Sequence, residues 1–183
     1  MRYIVVDLEA TCWENVRAPE RQEIIEIGAV MLETAGGPVL SEFGAFVHPV
    51  ASHTLSDFCI QLTSIKQEDV DEADRFPDVF ARFLQWIGNG PLRLCSWGRY
   101  DLNQLQRDCD RHGIAFPDAL RAHVNLKEEF TRWKGTRRLG MKAALETLGL
   151  PLAGTHHRGI DDARNIGAIA MQLLPWWESH RNL

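Results

Sequence analysis

The stretch Tyr3-Ile4-Val5-Val6-Asp7-Leu8-Glu9-Ala10-Thr11 sets two carboxylates inside an otherwise apolar run at the start of the chain. Such a run predicts a buried strand over residues 3–9. Side chains alternate along a strand, so Asp7 and Glu9 point to the same face. Two like charges about 4 Å apart, at an effective dielectric near 20, repel by roughly 4 kcal/mol. A cation between the carboxylates would offset that cost, and hard oxygen ligands suit Mg²⁺ or Mn²⁺. The plainer alternative has Asp7 capping the strand end and Glu9 facing solvent.

Working outward, residues 10–22 are polar and irregular. The stretch 24–33 (IIEIGAVMLE) alternates as a second strand, and Gly36-Gly37-Pro38 is a turn signal. A third strand is expected through SEFGAFVH (41–48), antiparallel to the second. The middle of the chain is helical. A short helix is expected to end within Asp69–Asp74, and Phe76, Val79, Phe80, Phe83, Leu84 and Ile87 recur with a helical period over 76–88. A strand at 91–97 is followed by a helix with Leu102, Leu105 and Cys109 on one face. A last short strand is expected near 119–124. Helices are expected near 125–133 and 139–148, the latter stopped by Gly149 and Pro151, and a final one over 161–174. The fold class is α/β: a mixed sheet of about five strands, an antiparallel meander and then parallel strands, flanked by helices.

A chain of 183 residues with 45% hydrophobic and 25% charged residues suits one domain with a full core. No apolar run approaches the roughly 18 residues a membrane span needs, so no membrane role is expected and the protein is assigned to the cytoplasm. Cys12, Cys59, Cys95 and Cys109 lack CxxC pairing and sit in apolar segments, which favours reduced core thiols. A net charge of −5 excludes a polybasic coat protein. Between Arg121 and Lys142, however, seven basic residues (Arg121, Lys127, Arg132, Lys134, Arg137, Arg138, Lys142) face only Glu128 and Glu129. That excess could steer a polyanion, or could be an ordinary solvated helix surface.

Two further carboxylates open helices. Asp101 falls in the first turn after Ser96-Trp97-Gly98, and Asp162 in the first turn of the last helix, beside Asp161. Helix capping accounts for Asp161 and is the simpler account of the other two. Asp162 differs because His157 precedes it by five residues in HHRGIDDAR, which puts an imidazole on the loop entering that helix. This set suits phosphodiester hydrolysis by two metal ions about 3.5–4 Å apart. Asp7 would bridge both ions, Glu9 and Asp162 would complete one, and Asp101 would hold the other. A neutral histidine can take a proton from the attacking water, help typically worth about 10²–10⁴-fold.

The order Asp-x-Glu, Asp after Trp-Gly, then His-x4-Asp resembles the DEDDh 3′–5′ exonucleases of the ribonuclease H-like fold. The blocks VVDLEATCWE, QEIIEIGAV, LSDFCIQLTSI, SWGRYDLNQLQRDC, LGMKAALETLGLP and HHRGIDDARNIG are similar to the branch of the histone-mRNA 3′-end exonuclease, Snipper and their bacterial relatives. The likeness runs from about residue 2 to 174, which implies a single exonuclease domain over 1–183 with a short C-terminal tail. It implies metal ligands at Asp7, Glu9, Asp101 and Asp162 for two Mg²⁺ or Mn²⁺ ions, and a general base at His157 rather than His156. It also implies a 3′-terminal nucleotide held by Ala10, Thr11, Cys12 and Trp13, with Met141 bordering the scissile end. Trp13 offers a ring for a base to stack on, with a buried core tryptophan as the competing reading, and Met141 is equally readable as a core residue.

The implied substrate is the 3′ end of single-stranded nucleic acid, RNA favoured over DNA, released as nucleoside monophosphates; no protein partner is implied. Arg99 departs from the branch's pattern, which has an acidic residue before the Tyr-Asp pair. The helical nucleic-acid hook of some relatives has no counterpart in the chain, so selectivity is expected from the site and the 121–142 region. Two other readings share some of these residues. Asp-x-Glu-x-Thr is similar to haloacid-dehalogenase phosphatases, which need Asp-x-Asp, a parallel strand order and a later lysine. An inactive nucleic-acid-binding module of the same fold would be expected to have lost a ligand or the histidine.

Overall fold

The computed structural model describes residues 1–16 and 18–181. Strand β1 (Arg2–Ala10) lies at the centre of a five-stranded sheet. It pairs antiparallel with β2 (Ile24–Leu32), which pairs antiparallel with β3 (Val39–Phe46). On its other edge β1 pairs parallel with β4 (Leu92–Ser96), and β4 parallel with the three-residue β5 (His123–Asn125), giving the order β3-β2-β1-β4-β5. The meander that follows β1 directly departs from the parallel order a phosphatase of the haloacid-dehalogenase kind needs.

Helices cover both faces, which is why β1 reads as a nearly unbroken apolar run. Ile4, Val6 and Leu8 point into one layer with Phe76, Val79, Phe80 and Phe83 of α3 (Phe76–Ile87) and Leu102, Leu105 and Cys109 of α4 (Tyr100–Arg111). Tyr3 and Val5 point into the other, against α5 (Leu126–Lys134), α6 (Met141–Leu148) and α7 (Gly159–His180). By the same alternation Asp7 and Glu9 fall on the α7 side. Here α1 and α2, Asp57–Thr63 and Gln67–Asp71, precede α3 and pack a small third cluster around Ile25, Cys59, Ile65 and Val70. Among the described residues no helix is long and apolar enough to cross a membrane.

The structure differs from the sequence expectation in three places. Helix α1 was not expected; Ser56 caps it by accepting the Cys59 N–H at 3.1 Å. Residues 118–121 form a 3-10 turn rather than strand, and pairing begins only at His123. Helix α7 runs six residues past the expected end at 174, through Pro175 to His180. Proline removes one intrahelical hydrogen bond, but Trp177 beyond it packs edge-on against Tyr3, ring centroids 6.4 Å apart. Tertiary contact holds the last turns that local sequence would end.

The start of α7 lies directly on the backbone of β2. A Cβ on Gly28 would sit 2.0 Å from the carbonyl carbon of Gly159, so only glycine permits this crossing. Gly28 is the register partner of Asp7. The crossing therefore sets the first turn of α7 beside the acidic end of β1.

Candidate active site

Parallel strands β1 and β4 end at the same edge of the sheet, the usual place for a ligand crevice in such sheets. A cavity of about 400 Å³ opens there, and Asp7, Glu9, Asp101, His156, His157 and Asp162 all line it. One carboxylate oxygen from each of Asp7, Glu9 and Asp162 lies within 4.8 Å of the other two. Asp101 reaches the same cavity from the first turn of α4. Its Oδ1 accepts the N–H of Leu8 at 3.1 Å, which ties α4 to the strand between the two strand carboxylates.

Asp162 organises the loop that precedes it. Its Oδ2 accepts the backbone N–H of His157 at 3.0 Å and lies 2.8 Å from Nδ1 of His156. His157 takes a left-handed conformation (φ 64°), uncommon for a residue with a side chain. This bend stacks the two imidazoles, centroids 3.9 Å apart, at the cavity wall. Sequence reasoning set His156 aside on its offset; the fold brings it to the cavity as the partner of Asp162.

A second residue had no signal beyond strand alternation. Glu26, the register partner of Glu9, is buried with its Oε2 accepting the Gly159 N–H at 2.9 Å and Arg158 Nε at 3.1 Å. It anchors the turn between His157 and α7 from the neighbouring strand. Thr11 and Trp13, expected at the substrate, lie off the cavity. Thr11 is buried and its hydroxyl accepts the Glu23 N–H at 3.0 Å, while Arg21 covers the Trp13 ring at 4.8 Å. Ala10, Cys12 and Met141 do line the cavity, and its aromatic walls are Trp97 and Tyr100. Trp97 is held by its Nε1–H, which donates to Leu139 O at 3.1 Å.

Burial and neighbouring carboxylates raise Asp7 and Glu9. Burial, then Asp101, Glu9, Asp162 and Glu26, hold the Asp7 carboxyl well above the usual range. Burial, then Glu26 and Asp162, push Glu9 up to about 9. Burial raises Asp101 to about 6 against the lowering pull of the Leu8 N–H. Burial, then His156, lowers His157 against the raising effect of Asp162. Carboxylates this proton-hungry are short of positive charge, and a cluster of hard oxygen donors fits divalent cations.

A mixed sheet flanked by helices, with carboxylates at the ends of β1, α4 and α7 and a histidine beside them, is the arrangement of the ribonuclease H-like fold. The exonuclease family model (RNase_T) matches residues 4–170, and the chain belongs to that family. It is 32% identical to human ERI1 exoribonuclease 2 over 93% of the chain and 28% of that protein. It is 31% identical to the Drosophila melanogaster 3′-5′ exonuclease Snipper, over 93% of the chain and 68% of the relative. The chain thus spans less than a third of the first of these relatives. Among solved structures it is similar to the nuclease domain of 3′hExo, a DEDDh family member bound to rAMP. The TM-score is 0.88 at 32% identity, covering 95% of this chain and 92% of that one.

Proposed function

We propose that residues 1–183 act as a 3′–5′ exonuclease that removes nucleoside 5′-monophosphates from single-stranded nucleic acid, RNA before DNA. The observation that carries this reading is the convergence of Asp7, Glu9 and Asp162 oxygens within 4.8 Å in a cavity that His157 also lines. Family membership and the relatives' names support the same direction of attack. Asp7, Glu9, Asp101 and Asp162 would hold two Mg²⁺ or Mn²⁺ ions. When bound, such ions supply an activated water and neutralise charge that builds on the phosphate and the leaving oxygen.

The chain's own groups do the rest. His157 has a depressed proton affinity, so its ring is neutral at pH 7 and able to accept the proton of the attacking water. Asp162 and Glu26 hold the backbone on either side of that ring. Water attacks the last phosphodiester, the bond from phosphorus to the 3′ oxygen of the preceding nucleotide breaks, and a mononucleotide leaves. Trp97 and Tyr100 offer rings for a base to stack on, worth about 1–3 kcal/mol with little sequence preference.

The test uses a 5′-labelled single-stranded RNA with Mg²⁺ or Mn²⁺ and its DNA counterpart. A ladder shortening from the 3′ end is expected, abolished by a bulky 3′ block and by a chelator. Internal cuts in a circular substrate would overturn the exonuclease reading.

A further inference from the structure

The acidic cavity does not close at the start of α6. Lys127 and Gly140, on its wall, also line a second cavity of about 420 Å³ whose other sides include Arg99, Asn125 and Arg138. The two cavities adjoin at Lys127 and Gly140, one lined by the carboxylates and the other mainly by basic side chains. The fold also sorts the basic run of 121–142, which is not a single patch. Arg121 pairs with Asp118 at 3.0 Å and Arg132 with Glu129 at 2.9 Å, while the Lys134 ammonium covers the Trp133 ring. Arg138 pairs with Glu128 at 2.9 Å on the groove's rim. Arg99, Lys127, Lys134, Arg137 and Lys142 have no carboxylate oxygen within 4.0 Å among the described residues, and of these Arg99 and Lys127 line the groove.

Arg99, Lys127 and Arg138 line the groove against one carboxylate, Glu128, which leaves a local positive potential on a molecule of net charge −5. A polyanion is repelled by the total charge and by the carboxylates, so it needs such a local surface to approach. We infer that the groove lined by Arg99, Lys127 and Arg138 binds the backbone phosphates of the nucleotides immediately 5′ of the one held in the acidic cavity. The contact is to phosphate rather than base edges, so it is indifferent to sequence. The inference rests on the exonuclease reading for its polarity: the terminal nucleotide sits among the carboxylates, and the strand leaves past Lys127 towards Arg99.

Substrate length tests it. For the parent, Arg99→Gln, Lys127→Gln and Arg132→Gln, kcat/KM is measured on a dinucleotide and an octanucleotide with the same 3′ end, at two salt concentrations. In parallel, a fluorescent octanucleotide with an uncleavable terminal linkage is titrated against each protein. The parent is expected to favour the octanucleotide. Arg99→Gln and Lys127→Gln should each cut that preference, and the octanucleotide affinity, by about threefold to tenfold and flatten the salt slope by about 0.7 per lost phosphate contact. Arg132→Gln, changed in a cavity beside Trp176 and His180, should keep the parental preference. A parent with no length preference, or an Arg99→Gln protein with parental affinity and salt slope, overturns the groove. Weakened binding by both groove variants, in a protein that cuts neither substrate, upholds the groove and sinks the nuclease reading instead.

Discussion

Replacing Glu9 with Gln should make the metal-free protein more stable at neutral pH. Glu9 is buried, and its carboxyl is raised from 4.5 to about 9 by burial and by Glu26 and Asp162. The unfolded chain releases this proton near 4.5 while the folded chain keeps it to about 9. Below pH 4.5 both states hold the proton and the group costs nothing. Above it the unfolded state gains on the folded one by about 1.4 kcal/mol per pH unit until the folded group also ionises. At pH 7 the penalty is about 3 kcal/mol, and Gln, which never ionises, escapes it. For a chain of this size that corresponds to a melting temperature higher by about 6–12 °C. Thermal denaturation in chelator at pH 4.5 and pH 7 reads the effect: the offset should be large at pH 7 and nearly gone at pH 4.5. With Mg²⁺ or Mn²⁺ present the parent should recover, by about 2.7 kcal/mol at a hundredfold excess over the dissociation constant. Equal melting temperatures at pH 7, or one offset at both pH values, would refute the charge argument and leave only a packing difference.

Asp7→Asn should lower turnover of a single-stranded oligonucleotide by about a thousandfold or more, several kcal/mol of transition-state stabilisation, while circular dichroism shows the native fold; full turnover would remove Asp7 from the reaction. His157→Ala should lose about 10²–10⁴-fold, partly regained at high pH where hydroxide replaces the base. The parent's acidic limb of kcat/KM should lie below pH 6.5, because burial and His156 lower the His157 ring, and a profile unchanged by the substitution would exclude it as the base. Gly28→Ala should destabilise by about 1–3 kcal/mol or more, since its Cβ meets the Gly159 backbone at 2.0 Å. It should also depress activity by shifting His157 and Asp162; calorimetry and turnover together check it, and a parental melting temperature would refute the close crossing.

Which residues the sequence made legible follows from where their oddity lies. Asp7 and Glu9 were visible because a charge in an apolar strand is anomalous among its immediate neighbours, and Asp162 because His157 stands five residues before it. Glu26 sits in the same kind of strand yet read as ordinary alternation. Its partners Arg158 and Gly159 lie 132 and 133 residues away, so nothing local distinguishes it. Helix α1 escaped for a related reason: only Cys59 and Thr63 of its seven residues are buried, and Phe58 and Leu62 remain over a third exposed, so no apolar stripe marks it. Of the loop implied to hold the 3′-terminal nucleotide, Ala10 and Cys12 line the cavity, whereas Thr11 and Trp13 do not. The cavity also takes Trp97, Tyr100 and Leu62 from elements far away in sequence.

The basic run of 121–142 shows the same limit from the other side. Its charge was plain from composition, but its use depends on pairing. Arg121, Arg132 and Arg138 find acids three to ten residues away, whereas Lys127 points into a groove shared with Arg99. Arg99 lies 28 residues earlier, outside the run altogether. A count of charges therefore overstates the surface available to a polyanion within the run and misses the cation just outside it. The physical quantity that matters is charge left without a partner after folding. In this chain four carboxylates crowd one cavity, and in the cavity adjoining it Arg99 and Lys127 have no carboxylate oxygen within 4.0 Å among the described residues. A strand with a 3′ terminus needs positive charge at both places, divalent cations among the carboxylates at its scissile phosphate and basic side chains along the phosphates 5′ of it.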